Sequence, residues 1–353
     1  MKKIEVSLNS KSYPIYIGCS LKKIGDLFRK YPAGEKILII TDENVSNLYS
    51  ENVSRSLISI GKKVDIFVIK PGEASKNFEV AYELLKKCSL FGMDRSDIII
   101  ALGGGVVCDL AGFVAAIYLR GIKFVSIPTT LLAQVDASIG GKTGINLPWG
   151  KNLIGVFHQP YFVVMDIQTL NTLPEREINQ GMAEIIKTAV IRSKKLFTFL
   201  QKLEKSQLHR FFSRLVYECV LIKKRVVESD EKEEKGIREI LNFGHTFGHA
   251  VEINSKNLNH GESVAVGMIG ETYIAFKKGL CSQKLFKDII SLVEKYGLPT
   301  RSDVSASKLV DSIRYDKKAK GGRSRFVLPV RVGAVKTGVE VSPEEILLYW
   351  EKW

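Results

Sequence analysis

The first half of the chain alternates short apolar segments with segments of helical periodicity, and this alternation restricts the possible folds more than any other feature. The apolar segments are continuous and rich in β-branched residues, which is typical of strands buried on both faces. They predict strands at residues 36–41, 63–69, 97–102, 124–127 and 161–165, and the helical patterns between them include residues 77–90 and 109–118. Strands that alternate with helices in this way predict a Rossmann-like parallel sheet covered by helices on both sides.

The second half has a different periodicity. From about residue 175, apolar residues recur at spacings of three and four, as they do in amphipathic helices. The predicted helices cover residues 177–191, 196–203, 208–227, 240–251 and 263–278, and one strand-like segment, 325–330, contains Pro329. Because 353 residues exceed what one hydrophobic core normally organises, we predict two domains. They are an α/β domain over residues 1–174 and a mainly α-helical domain over residues 175–353.

Charge and cysteine content restrict the class of protein. The net charge is +14, but the basic residues are dispersed and form no zinc finger, basic zipper or RNA-binding motif. No apolar segment reaches the roughly 18 residues of a membrane span. Five cysteines lie far apart without a CxxC pair, which is typical of a reducing compartment. We expect a cytoplasmic protein that binds a small anionic substrate and neither nucleic acid nor a membrane.

Three consecutive glycines, Gly103, Gly104 and Gly105, follow the predicted strand 97–102, and a helix is expected to begin near Asp109. A strand, a glycine turn and a helix N-terminus together can hold a pyrophosphate, because the backbone approaches closely and free N–H groups point at the anion. The same glycines also suit a tight turn that needs positive φ. The glycines alone do not decide between the two interpretations.

Polar loops follow other predicted strands at the same edge of the sheet. Asp42 ends the first strand, residues 71–76 follow the second, and Thr129 and Thr130 follow the fourth. Ligands bind at the carboxyl ends of parallel strands, where a carboxylate such as that of Asp42 can accept from ribose hydroxyls. The convergence of these loops favours nucleotide binding.

Three of the five histidines, His245, His249 and His260, lie within 16 residues of one another, and Glu184 lies on an otherwise apolar predicted helix. Two imidazoles and one carboxylate are a usual ligand set for catalytic zinc, with one position left for substrate or water. His245 and His249 would share one face of a helix, whereas His245 and His260 would need a turn between them. Spacing alone leaves both pairs open.

Several lysines lie beside glycine or among apolar residues, where a cation interacts strongly with a phosphate. They are Lys142, Lys151 and Lys187. Lys142 lies in a GGKT segment that looks like a nucleotide P-loop, but Asp136 stands where that motif requires its first glycine, so we reject this interpretation.

Six segments, in this order, resemble the 3-dehydroquinate synthase family. They are the three glycines, GGKTGIN (140–146), GKNLIG (150–155), AEIIK (183–187), LNFGHTFGHA (241–250) and HGESVAVGM (260–268). The resemblance extends from about residue 41 to 329. It implies an NAD-binding α/β domain, a helical metal domain that uses Zn²⁺ or Co²⁺, and an active site in the cleft between them. It also implies conversion of DAHP (3-deoxy-D-arabino-heptulosonate 7-phosphate) to 3-dehydroquinate and phosphate.

The resemblance also implies roles for individual residues. Glu184, His245 and His260 would bind the metal, and His249 would contact substrate. The residues implied for NAD are Asp42, Pro71, Gly72, Glu73, Ala74, Ser75, Lys76, Gly104, Gly105, Val106, Val107, Cys108, Asp109, Thr129, Thr130, Lys142, Lys151, Thr169, Leu170, Asn171 and Thr172. Those implied for substrate and catalysis are Arg120, Asp136, Lys142, Lys151, Asn152, Lys187, Lys223, Arg238, Asn242, His249 and Lys317. Arg120 would reach the active site of a neighbouring subunit, which implies a homodimer.

Other functions make different predictions. A related sugar-phosphate cyclase would release phosphate from a different substrate. A metal-dependent polyol dehydrogenase would consume NAD stoichiometrically, whereas a synthase would return it after each turnover. A basic nucleic-acid-binding protein would bind DNA or RNA in a salt-sensitive way. An inactive NAD sensor would not need an intact metal-binding triad.

Overall fold

The computed structural model describes residues 1–9, 11–318, 324–350 and 352, without the side chains of residues 314–318. These residues divide into two compact units, Met1–Leu173 with Phe212–Lys232, and Pro174–Phe211 with Glu233–Trp353. The predicted domain boundary at residue 174 assigned residues 212–232 to the second domain, whereas the structure groups them with the first unit. The reason is that this helical segment packs on the turn Ala133–Ala137 of the first unit. The domain boundaries remain a prediction.

Eleven strands lie in the described residues. They are β1 (Lys2–Val6), β2 (Tyr13–Ile17), β3 (Lys36–Asp42), β4 (Lys63–Ile69), β5 (Ile98–Gly103), β6 (Lys123–Pro128), β7 (Lys142–Leu147), β8 (Gly150–Phe157), β9 (Phe162–Met165), β10 (Arg325–Arg331) and β11 (Ala334–Glu340).

The α-helices of the same residues are α1 (Ile24–Phe28), α2 (Glu43–Val45), α3 (Glu51–Ile58), α4 (Phe78–Leu90), α5 (Gly105–Ile117), α6 (Glu175–Arg192), α7 (Lys194–Lys202), α8 (Phe212–Ser229), α9 (His245–Asn254), α10 (His260–Lys277), α11 (Gln283–Lys295), α12 (Ala306–Lys318) and α13 (Pro343–Tyr349). Short 3₁₀ turns lie at Leu21–Lys23, Glu73–Ser75, Tyr118–Arg120, Ile167–Thr172, Lys205–Phe211 and Ile237–Asn242, and π-helical turns at Ser46–Ser50 and Ala133–Ala137.

The first unit contains the predicted sheet. Its seven strands follow the order β1-β2-β9-β6-β5-β3-β4 in the described chain, and all neighbours are parallel except β1 and β2. Successive residues of β3 enter different cores: Leu38 and Ile40 pack with α4 and α5 on one face, and Ile37 and Ile39 pack with α1 and α3 on the other. Both faces are covered, which explains the continuously apolar strand segments. The predicted α/β fold is confirmed.

Two strand pairs of this unit were not predicted. β1 alternates buried Ile4 and Val6 with exposed neighbours at the edge of the sheet, where its partner β2 is fully buried. β7 and β8 form a separate antiparallel hairpin. The GGKT segment therefore leads into the strand β7 and not into a helix, in agreement with the rejection of a P-loop.

The second unit is mainly helical, as predicted, but one predicted helix is broken. Residues 240–251 are interrupted because Phe243 is extended and Gly244 is left-handed (φ 80°), so α9 begins only at His245. Helix α10 begins three residues earlier than predicted, and Gly279 (φ 69°) terminates it as expected. The strand-like segment is β10, which tolerates Pro329 in a two-stranded ladder with β11. None of the helices in the described ranges has both the length and the hydropathy of a transmembrane span.

Glycines let α9 and α10 approach each other closely. A Cβ atom at Gly267 of α10 would lie 2.0 Å from the carbonyl oxygen of Gly244 and 2.7 Å from the backbone nitrogen of Gly248. Both atoms belong to the backbone and cannot be displaced without moving a helix. Contact between these two helices therefore requires glycine at position 267.

We expect Gly267→Ala to destabilise the second unit by about 3 kcal/mol, the upper end of the usual cost of overpacking. The free energy of unfolding can be measured in urea by circular dichroism and by the fluorescence of the buried Trp350. Gly279→Ala, just after the end of the same helix, is the matched control, because a Cβ atom there meets nothing within 4 Å and costs only its left-handed φ, roughly 1–2 kcal/mol. Equal losses for the two variants would contradict the proposed helix contact.

Candidate active site

The three glycines join β5 to α5, and none of them has positive φ in the structure. The tight-turn interpretation is therefore wrong for this loop. Close packing requires glycine at one position, because a Cβ atom at Gly103 would lie 2.6 Å from Val107 Cγ2. Helix α5 begins at Gly105, four residues before the predicted start at Asp109. The apolar residues 106–107 continue the strand pattern and no polar N-cap precedes them, so the sequence did not mark the start.

The N-terminus of α5 offers backbone donors for an anion. The first bond inside the helix runs from Cys108 N to Gly104 O at 3.0 Å, so the N–H groups of Gly105, Val106 and Val107 belong to the open end of the helix. The thiol of Cys108 is buried in the apolar core, where Sγ lies 3.4 Å from Ser126 Oγ and burial raises its pKa to about 12. The thiol of Cys108 is therefore buried against Ser126, and its N–H is hydrogen-bonded to Gly104 O, so the N–H is not one of the free donors at the helix start.

A buried lysine connects the glycine loop to the β7–β8 hairpin. Lys76 Nζ donates to Asp109 Oδ2 and to Asn152 Oδ1, each at 2.5 Å. Burial raises the pKa of Asp109, and the positive charge of Lys76 opposes that rise. Asn152 has a left-handed backbone (φ 55°), which is uncommon outside glycine and is often found at functional sites. The structure therefore brings together two residues predicted for NAD and one predicted for substrate.

Asn146 organises the same region and was not predicted. Its side chain donates to Glu73 Oε1 at 2.7 Å and accepts from Asn152 N at 2.8 Å, and its backbone N–H donates to Lys76 O at 2.7 Å. It thereby ties the 71–76 loop to the hairpin. The only signal in the sequence is its place at the end of GGKTGIN, where the lysine is the more obvious candidate for binding an anion.

The other predicted NAD loops are held by hydrogen bonds within the first unit. Asp42 Oδ1 accepts from Val45 N at 3.1 Å and caps α2, and burial raises its pKa. Gln134 Nε2 donates to Thr169 Oγ1 at 3.2 Å, and the hydroxyls of Tyr49 and Thr172 lie 2.5 Å apart. Part of the Asp42 carboxylate is therefore used for capping, which the prediction of a ribose contact did not include.

Charged residues predicted for substrate lie in three parts of this unit. Lys223 of α8 donates to the backbone oxygen of Asp136 at 2.6 Å and also pairs with its carboxylate. Lys142 and Lys151 are exposed near the starts of β7 and β8. Arg120 is also exposed, in a turn where it and Leu119 both have positive φ (65° and 49°). A bulky left-handed pair of this kind is strained.

The second unit brings the predicted metal ligands together on three helices. Glu184 lies on α6, His245 is the first residue of α9, and His260 is the first residue of α10. One ligand atom from each residue lies within 4.8 Å of the other two. His249 is exposed on the next turn of α9, with its ring centroid 5.3 Å from that of His245. This geometry favours His245 with His260, one of the two pairs that the spacing left open, as the metal-binding pair.

The distances around Glu184 fit a bound cation. Glu184 Oε1 lies 3.6 Å from His245 Nε2 and 3.7 Å from His260 Nε2, which is too far for hydrogen bonds. Ligands at zinc bond lengths in a tetrahedron are separated by about 3.4 Å. The Glu184 side chain is 1% exposed. Neither of its carboxylate oxygens makes a hydrogen bond within the described chain, although the Lys187 ammonium is close enough to Oε2 for an ion pair. A cation between these atoms would satisfy the buried oxygen.

The two imidazoles are oriented through their other nitrogen atoms. His245 Nδ1 lies 3.2 Å from Phe243 O, and His260 Nδ1 lies 3.2 Å from Glu252 Oε2. Such partners fix the tautomer that leaves the lone pair of Nε2 for a metal. Glu252 was not predicted, because a single acidic residue on a helix looks like solvated surface.

The two histidines have opposite pKa shifts. Burial, reinforced by the charge of Lys187, holds the pKa of His245 well below its usual value, so its imidazole is neutral. Burial also lowers the pKa of His260, but the hydrogen bond and charge of Glu252, together with the charge of Glu184, raise it overall. A metal at His260 must therefore compete with a proton, and metal affinity should fall as pH falls.

Three residues of the second unit that were predicted for substrate differ in how exposed they are or lie outside the described side chains. Arg238 is buried and lies 3.3 Å from Glu233 Oε1. Asn242 is exposed at the end of the turn before α9. Lys317 lies in the last turn of α12, and its side chain is outside the described residues.

Comparison with known proteins identifies the family. Residues 66–180 match the family model described as 3-dehydroquinate synthase N-terminal, and residues 181–319 match the one described as 3-dehydroquinate synthase C-terminal. The chain is 45% identical over 355 residues to the 3-dehydroquinate synthase of Desulforamulus reducens, with 98% of this chain and 99% of that one covered. The chain belongs to the 3-dehydroquinate synthase family.

Two solved structures have the same fold. The 2-epi-5-epi-valiolone synthase of Streptomyces hygroscopicus, solved with NAD⁺ and Zn²⁺ bound, matches with a TM-score of 0.90 at 27% identity over 97% of both chains. A 2-deoxy-scyllo-inosose synthase, solved with carbaglucose-6-phosphate, NAD⁺ and Co²⁺, also matches with a TM-score of 0.90, at 24% identity over 99% of both chains. The second likeness shows the fold alone. The predicted family resemblance is confirmed.

We expect Glu184→Gln to weaken zinc binding by this member of the 3-dehydroquinate synthase family by more than about 100-fold, because one of three protein ligands loses its charge. Competition with a chromophoric chelator measures the dissociation constant of the purified protein. Glu175→Gln, at the exposed start of the same helix, is the matched control and should leave the constant unchanged. Unchanged affinity in the Glu184 variant would place the ion elsewhere.

Proposed function

We propose that the chain converts DAHP to 3-dehydroquinate and phosphate, with NAD and one divalent metal as cofactors. The observation that carries this proposal is the triad of Glu184, His245 and His260 in a chain of this family. The reaction is a carbon–oxygen lyase reaction, because the bond to the phosphate oxygen breaks by elimination. An internal aldol reaction then closes the carbocycle.

The cofactors supply what side chains cannot: NAD takes up a hydride and returns it, and Zn²⁺ or Co²⁺ polarises a substrate hydroxyl. We propose that the open end of α5, with Gly104 and Gly105, holds the pyrophosphate of NAD, and that Lys76 and Asp109 support this loop. Glu184, His245 and His260 would hold the metal. Oxygen and nitrogen ligands of this kind suit either zinc or cobalt.

Cationic residues would bind and stabilise the phosphate of the substrate. In the second unit, Lys187 is almost fully buried beside Glu184, where a low dielectric strengthens its effect on an anion. In the first unit, Lys142, Lys151 and Lys223 are proposed for the same role. The pair with Asp136 holds the Lys223 ammonium in place before substrate arrives.

His249 is proposed to transfer protons. It is exposed next to the half-buried imidazoles of His245 and His260, with its ring centroid 6.1 Å from that of His260. An imidazole exchanges protons readily near neutral pH, and this one is not needed as a ligand when Glu184, His245 and His260 bind the ion. Asn242 and Arg238, in the turn before α9, are proposed to contact substrate.

The decisive experiment is incubation of the purified chain with DAHP, substoichiometric NAD and Zn²⁺ or Co²⁺. We expect phosphate and 3-dehydroquinate to form in many-fold excess over NAD, because the hydride returns in each turnover. Stoichiometric accumulation of NADH would favour a polyol dehydrogenase instead. Release of phosphate from another sugar phosphate but not from DAHP would favour a related cyclase, such as the two solved relatives.

A homodimer is part of the proposal, with Arg120 acting in the partner's active site. Support comes from its exposed position in a strained turn. The cytoplasmic location expected from the cysteine spacing also remains a prediction.

We expect Arg120→Ala and Lys187→Ala to be inactive alone and partly active when co-expressed. If Arg120 acts across the dimer, random pairing restores about a quarter of wild-type activity, because half of the dimers are mixed and each has one intact site. As a control, both substitutions are placed in one chain that is co-expressed with wild type. Recovery of about half of the activity in this control, with none in the first mixture, would show that Arg120 acts in its own subunit.

A further inference from the structure

Helix α9 begins beside a buried carboxylate that has no role in the function proposed above. Glu271 lies on α10 and is 0% exposed. Its Oε2 accepts from Gly244 N at 2.6 Å, and its Oε1 accepts from the backbone nitrogens of Thr246 and Phe247 at 3.1 and 3.3 Å. One carboxylate thus accepts from three backbone donors at the start of the helix.

The start of α9 needs such a partner. The first N–H groups of a helix have no acceptor within the helix, and a side chain at the N-cap usually supplies one. Here the N-cap is Gly244, which has a left-handed backbone and no side chain. The neighbouring helix supplies the acceptor instead. The negative charge of a carboxylate also suits the positive end of the helix dipole.

The turn that Glu271 holds is also the turn that orients a metal ligand. His245 is the first residue of α9, and its Nδ1 lies 3.2 Å from the carbonyl oxygen of Phe243, on the other side of Gly244. Rotation of the turn would therefore move both the imidazole and the acceptor that fixes its tautomer. Contacts of this kind around a ligand tune metal affinity.

Helix α10 relates this turn to the rest of the metal centre. The helix begins with the ligand His260 and carries Glu271 eleven residues later. The close contact between Gly267 and Gly244 brings the two helices near enough for the Glu271 side chain to reach the turn. His260 and the carboxylate that holds the turn of His245 are thus parts of one rigid element.

We propose that Glu271 is a positioning residue of the metal centre, which holds the α9 turn so that His245 Nε2 faces the ion. The inference rests on the metal-binding role proposed for Glu184, His245 and His260. It predicts that Glu271 affects metal affinity and ligand geometry without touching the ion.

The test uses Glu271→Gln, which keeps the shape of the side chain but replaces one acceptor oxygen with a donor. We expect Zn²⁺ to bind about 10- to 100-fold more weakly, the usual effect of removing a partner of a metal ligand. The visible absorption spectrum of the Co²⁺ protein should also change, because the position of His245 in the coordination sphere changes. A helix clamp with a purely structural role would lower the melting temperature but leave the affinity and spectrum of the folded protein unchanged.

Two controls make the outcome decisive. Thr272→Val, at the next and equally buried position of α10, should leave Zn²⁺ affinity and the Co²⁺ spectrum unchanged. Glu271→Asp retains the charge but is one methylene shorter, so we expect a Zn²⁺ affinity between those of the wild type and Glu271→Gln. If Glu271→Gln does not fold, Glu271→Asp takes its place in the test. Normal binding in both Glu271 variants, with loss of binding in Glu184→Gln, would overturn this inference alone. Normal binding in Glu184→Gln would overturn the metal site itself.

Discussion

A carboxylate that is removed from water and makes no hydrogen bond is unstable unless a positive charge compensates it. Glu184 is in this position, with one oxygen facing two imidazole nitrogens beyond hydrogen-bonding distance. The Lys187 ammonium compensates part of the charge at the other oxygen. The first oxygen and the two imidazole nitrogens together form the ligand set that we propose for a divalent cation.

The strands and helices of the first unit could be predicted because each depends on local pattern. Strand β5 lies within one residue of its predicted bounds, since both faces of the sheet are covered there and the apolar segment is continuous. Features that depend on distant partners could not be predicted in this way. Strand β1 is short and half polar, and it is a strand only because β2 lies beside it. Helix α8 lies between the two sequence segments of the second unit but packs on the turn Ala133–Ala137 of the first unit.

In the candidate site, too, some residues could be predicted from the sequence and others depend on tertiary contacts. Residue type and resemblance were sufficient to nominate Glu184, His245 and His260, because catalytic metals accept few kinds of ligand. The residues that orient these ligands were missed, since Glu252 and Glu271 are common acidic residues without a motif. The left-handed φ of Gly244 was hidden as well, so the predicted helix ran through it. Tertiary contacts decide these features, and a single sequence does not display them.

Lys76 has a further consequence for how the two ligands of the protein would influence each other. Its ammonium group donates at once to Asp109, behind the glycine loop, and to Asn152, on the hairpin. A ligand that changes the Lys76–Asp109 bond would also change the free energy of the Lys76–Asn152 bond. Such a coupling free energy is the same in both directions. Occupancy of the nucleotide loop would therefore change the affinity of the hairpin for sugar phosphate, and the sugar phosphate would change nucleotide affinity by the same factor. If the loop holds the nucleotide and the hairpin holds the sugar phosphate, as proposed, one side chain would make the two affinities depend on each other.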